Sequence, residues 1–132
     1  MRYTVPLGRL FLVGPFLLTP LTHFSAQGIV YAAHQGVPLA GALVPLSGVI
    51  AVVGAISVLF GYYARAGAWL LVVFLVPVTL AMHNFWAVAD PMAAKLQEAM
   101  FIKNLSMLGG ALLVAHFGAG PVSVDAARGR QL

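Results

Sequence analysis

Few side chains here could do chemistry. The 132 residues include seven basic, three acidic and four histidine residues, and no cysteine. Six polar or aromatic candidates stand in otherwise apolar surroundings: His23, His83, Asn84, Trp86, Lys103 and Asn104. Imidazole, ammonium and carboxamide groups beside an indole and methionines suit an aromatic lipid that carries a carbonyl, such as a quinone. Its oxygen would accept hydrogen bonds from His or Lys, and apolar walls would hold ring and tail. Bis-histidine haem is the rival, since His23 and His83 could face each other at one depth, but nothing else in the chain supports it. A metal on the same pair would lack a carboxylate ligand, so no metal is expected. The missing cysteines exclude disulfides, iron–sulfur clusters and thiol chemistry on this chain, and no covalently bound cofactor is expected. There is no Ser/His/Asp arrangement, phosphate loop or carboxylate pair.

These groups form a site only if the chain brings them to one place. Residues of hydrophobic type make up 61% of the sequence and charged ones 8%, against about 25% charged in a soluble domain. A chain this short cannot hide so much apolar surface from water, so lipid is the expected solvent. About 20 apolar residues cross a bilayer as a helix, and four runs are long enough: roughly 7–24, 39–60, 66–86 and 97–117. The length suits one domain over residues 1–132. The expected fold is all-α, a four-transmembrane-helix bundle, with residues 25–36 as a short interfacial segment that Gly36 and Pro38 end. Asp90-Pro91 reads as an N-cap and first-turn proline ahead of the last run. The tail after Gly118 to Pro121 is expected to fray.

Four spans place Arg2, Arg9, Arg65, Arg128 and Arg130 on one side. The other side has Lys95 near Asp90 and Lys103 near Glu98. Positive charge flanking spans stays in the cytoplasm, so both termini are expected inside, with Arg9 and Arg65 as topology determinants. The antiparallel order then puts His23, His83, Lys103 and Asn104 in one outer layer drawn from three helices. Polar groups at that depth are costly unless paired or facing a cavity. Each also has a plainer reading: Lys103 snorkels to the interface, His83 and Trp86 anchor it, and His23 bonds a carbonyl near Pro20. Ser47, Ala51 and Ala55 form a small-residue stripe, suited to packing within the chain or, as the alternative, to a homo-oligomer.

In order along the chain, the sequence has Arg9 at the start of a helix, the turn GYYAR, HNFW at the end of run three, the block EAMFIKNLSMLGGALL, and the closing GAGPVSVD with Gly118, Gly120, Pro121, Ser123 and Asp125. In these it resembles the DoxX family of small four-helix bacterial membrane proteins. It departs where many members have a lysine near the end of helix one, here His23, and a glutamate in helix two, here Ala51. The resemblance implies a bacterial inner membrane location and a redox or quinone-linked accessory role rather than an autonomous enzyme. The expected partners are membrane lipids and another membrane protein or redox complex. Scattered basic residues make no nucleic-acid surface. A non-catalytic structural or assembly subunit is the alternative. Transport of a small neutral solute is a third reading, and the lack of an acidic residue within the spans disfavours proton coupling.

Overall fold

A computed structural model describes residues 2–129; Arg130 lies outside them. The helices are α1 (Thr4–Leu17), α2 (Pro20–His23), α3 (Ala26–His34), α4 (Ala40–Phe60), α5 (Ala64–Met82), α6 (Pro91–Phe117) and α7 (Val124–Ala127), with a 3-10 turn at Phe85–Ala87. Four stretches are long and apolar enough to span a bilayer: Thr4–His23, Ala40–Phe60, Ala64–Ala87 and Pro91–Phe117. The protein is a four-helix membrane bundle. At 1.5 Å per residue α4 is about 31 Å long, close to the thickness of the hydrocarbon core. The bundle turns its large side chains outward: Phe11, Leu21, Leu39 and Phe117 are each more than 70% exposed. Such a surface is tolerable only in lipid.

The interior is narrow and built on small residues. Ala51, Ala55 and Ala68 are fully buried with Val13, Val58 and Leu71. The small stripe of α4 is therefore used within the chain. At Gly54 an added Cβ would stand 2.8 Å from the Gly67 carbonyl oxygen of α5, so the two backbones meet closely. Without a hydrophobic drive between helices in lipid, this dispersion contact is what holds them together. The α4–α5 pair forms the centre, α1 packs on α4, and α6 packs on α5.

Local signals explain the breaks. Pro20 has no N–H, so the Phe16 carbonyl lacks its usual donor. Thr19 takes it instead through its backbone N (3.2 Å) and its Oγ1 (2.5 Å), and the first span bends between α1 and α2. Within residues 25–36 a true helix forms, α3, capped by Ser25, whose Oγ accepts from Gly28 N at 3.0 Å. Asp90 caps α6 by accepting from Ala93 N at 2.8 Å.

The tail departs from expectation. Residues 118–127 do not fray from the bundle but fold across the loop between α4 and α5 and end in α7. The reason is a set of orphan N–H groups at the start of α5, described next.

Candidate functional site

The two ends of the bundle differ in chemistry, one rich in arginine and the other in histidine. At the arginine end, α4 stops at Gly61 (φ +64°) and Tyr63 is also left-handed (φ +50°). This tight reversal leaves the first N–H groups of α5 without intrahelical acceptors. Asp125 supplies both: its Oδ1 accepts from Tyr63 N and its Oδ2 from Ala64 N, each at 2.9 Å. Asp125 N in turn donates to the Gly61 carbonyl at 2.8 Å. Ser123 caps α7, accepting from Ala126 N at 3.1 Å.

Arg9 closes the same knot. It lies in the second turn of α1, is 4% exposed, and donates from Nη2 to the Val122 carbonyl at 2.7 Å. Its Nε and Nη1 are buried without a hydrogen-bond partner among the described residues. The negative charge acting on this guanidinium is that of Asp125. Nη1 abuts Gly61 so closely that any side chain there would collide with it. Arg9, expected from sequence as a topology determinant, is thus also a buried internal tie. Arg65 is half-buried and lines an open groove of about 730 Å³ with Asp125 and Ser123. Arg128 lies over the Tyr62 ring, 5.0 Å from its centroid.

At the histidine end, α2 presses His23 against α4 at Gly48, where an added Cβ would fall 2.8 Å from His23 Cβ. The imidazole leans on Phe74 of α5, ring centroids 5.5 Å apart, and its Nδ1 lies 3.2 Å from the Thr19 carbonyl oxygen. His83 follows α5, and its Nδ1 is 2.8 Å from Gln97 Oε1 of α6. Both histidines line one cavity of about 890 Å³ between α2, α3 and the adjoining halves of α4 and α5. Its walls are mainly apolar, with Val44, Ile50, Phe74, Pro77 and Val78 among them; Ser47 and Tyr31 add hydroxyls. Exposed apolar side chains of three helices, Leu21, Leu46 and Val73, are part of its lining, so its open side faces lipid.

The other four sequence candidates do not line this cavity. Asn104 is 5% exposed and donates from Nδ2 to Thr79 Oγ1 at 3.1 Å, a strut between α6 and α5. Lys103 is exposed, its Nζ 3.5 Å from Met100 Sδ on its own helix. Trp86 is 60% exposed and joins Phe85 and Phe101 in an edge-to-face cluster. Asn84 opens the 3-10 turn without capping it through its side chain. The expected convergence therefore reduces to the histidine pair. Depth brought the candidates level, but a helix turns about 100° per residue, so adjacent Lys103 and Asn104 cannot both face inward. Gln97, Ser47 and Tyr31 were not among the site candidates read from sequence, where Ser47 counted only toward the packing stripe. Gln97 stands 14 residues from His83, and only the packing of α6 on α5 joins them.

A model of the SURF4 family matches residues 42–130, well over half the chain. This chain belongs to the SURF4 family. The resemblance to the DoxX family is thereby corrected: GYYAR, HNFW and GAGPVSVD all lie inside the segment that the SURF4 model matches. Those motifs are a glycine-ended helix, an aromatic interface and a glycine-rich stop, and any small four-helix membrane bundle has physical use for them. Among curated relatives, inner membrane protein YqjF of Escherichia coli is 32% identical over 95 residues, covering 72% of this chain and 67% of that protein. Inner membrane protein YphA of Escherichia coli is 28% identical over 97 residues, 74% of this chain and 69% of that protein. The ER-derived vesicles protein ERV29 of Saccharomyces cerevisiae is 32% identical over 77 residues. That match covers 58% of this SURF4-family chain but 24% of the yeast protein. No solved structure gives a significant match.

Proposed function

We propose that this SURF4-family protein holds an amphipathic, lipid-like molecule in the lateral cavity at its histidine end. The observation that carries the reading is the cavity itself, about 890 Å³ with apolar walls and two imidazoles. That combination suits a ligand with a small polar head and a hydrocarbon tail. A quinone belongs to this class. No redox chemistry is part of the proposal, because the support is for binding alone. The E. coli relatives, both named as inner membrane proteins, support a bacterial inner membrane location. Arg2, Arg9, Arg65 and Arg128 at one end support placing that end in the cytoplasm.

A second reading, an accessory subunit, is favoured by α6. Only Asn104, Ala111 and Ala115 of its 27 residues are buried, which leaves a long face available to another membrane protein.

The test is to purify the protein from its native membrane and identify the lipids that accompany it. Ser47→Phe and Val78→Phe fill the cavity from α4 and from α5. A stoichiometric small molecule present with the wild type and lost in both variants is the expected result. Identical lipid content in all three proteins would overturn the cavity reading, and a stoichiometric protein partner in its place would favour the accessory one.

A further inference from the structure

We infer that the molecule held at the histidine end has a hydroxyl head, an alcohol or phenol that donates hydrogen bonds to the cavity wall. The inference rests on the cavity reading above and adds to it the chemical class of the head.

The argument concerns where the wall's protons are. A neutral imidazole has one N–H, and the acceptor facing one nitrogen decides which nitrogen holds it. His23 Nδ1 lies 3.2 Å from the Thr19 carbonyl oxygen. Thr22 Oγ1 is equally close to Nδ1, at 3.2 Å, and gives its own proton to the same Thr19 carbonyl; a carbonyl has no proton to give, so Nδ1 holds the hydrogen and Nε2 is left as a bare acceptor. His83 Nδ1 faces Gln97 Oε1 at 2.8 Å; with the oxygen end of that carboxamide turned to the ring, Nδ1 holds the hydrogen here too and Nε2 is an acceptor. The wall hydroxyls follow suit. Ser47 Oγ donates to the Val44 carbonyl at 2.7 Å, and Thr22 Oγ1 donates to the Thr19 carbonyl at 3.2 Å. Each helix thereby takes the hydroxyl proton into its own backbone and turns only lone pairs toward the cavity. Gln27 and Tyr31 also line it and can donate, but both are exposed residues of α3, at the rim.

The half-buried polar groups of the wall, His23, His83 and Ser47, are therefore acceptors. A ligand that only accepts, such as an ester, an ether or an oxidised quinone, would set lone pair against lone pair. A hydroxyl satisfies one of these acceptors directly. Because the cavity opens to lipid, a long alkyl chain can stay in the membrane while the head turns in.

The probes are hexadecan-1-ol and its methyl ether, which share a tail and differ in the one donated proton. Binding is measured to the full chain in lipid nanodiscs. The alcohol is expected to bind about 5- to 10-fold more tightly, the equivalent of one neutral hydrogen bond, and His23→Leu should level the two. Equal binding of both probes, with both excluded by Ser47→Phe, would overturn the hydroxyl head and leave the cavity reading standing. A tighter ether would also overturn it. Binding of neither probe to the wild type would overturn both readings. An independent check needs no variant: ¹⁵N NMR of the imidazoles should show the Nδ1–H tautomer at His23 and His83, and an Nε2–H tautomer at His23 would refute the inference.

Discussion

Asp125 should be the most sensitive residue of the arginine end, although it lies in the polar tail after α6. In Asp125→Ala the N–H groups of Tyr63 and Ala64 lose their acceptors, each held at 2.9 Å, and Arg9 loses the charge that acts on it. A hydrogen bond to a charged group is worth about 1.5–3 kcal/mol. Asp125 is only partly buried, so water recovers part of this and screens the rest. The lower end, about 1.5 kcal/mol, applies to each bond, and with the weakened compensation of Arg9 the sum is about 3–4 kcal/mol. The assay is reversible unfolding of the purified protein in mixed micelles, with limited proteolysis to follow the tail. Asp125→Ala should lower stability by that amount and expose the chain after Phe117 to cleavage. Asp125→Asn keeps one acceptor and should fall between. A cycle with Arg9→Met should show coupling of at least about 0.5 kcal/mol, as residues in one network do. If Asp125→Ala unfolds with the wild type and the tail is cleaved no faster, the tail does not cap α5 and the reasoning fails.

Gly61→Ala should cost about 2 kcal/mol in the same unfolding assay, because an L-residue at φ +64° is disfavoured and its Cβ would displace Arg9. Thr79→Val removes the partner of Asn104 and should cost about 0.6–1.7 kcal/mol, the range for side-chain hydrogen bonds in lipid. Lys103→Met, on the exposed face of α6, should leave both stability and the lipids that accompany the protein unchanged; loss of a bound molecule would return Lys103 to the site. Single cysteines at Met92 and Ala127 should be labelled from outside and from the cytoplasm respectively in intact cells, and the reverse pattern would invert the assigned orientation.

The bundle itself could be read from the sequence because lipid imposes one strong rule. Every backbone polar group must be satisfied within its own segment, so long apolar runs become helices and little else is available. Composition and run length were enough for four spans. Asp90-Pro91 marked the start of α6, and residues 25–36, too short to span, become the interfacial element α3. Family membership was less legible, because glycine turns and aromatic belts serve every small membrane bundle alike.

What the sequence could not decide was direction around each helix and contact across distance. Asn104 and Lys103 are neighbours in the chain, yet one ties α6 to α5 and the other faces outward, since the packing of α6 selects which face is buried. Asp125 and the first turn of α5 are about 60 residues apart, and no local pattern announces that a polar tail will return to cap them. His23 and His83 share a cavity because Gly48 lets α2 approach α4, and Gln97 reaches His83 only once α6 has packed. Sequence settled which segments lie in the membrane, since that depends on each segment's own transfer from water to lipid. Tertiary packing settled which polar groups meet, since that depends on the rotation and approach of helices whose apolar faces look much alike to lipid.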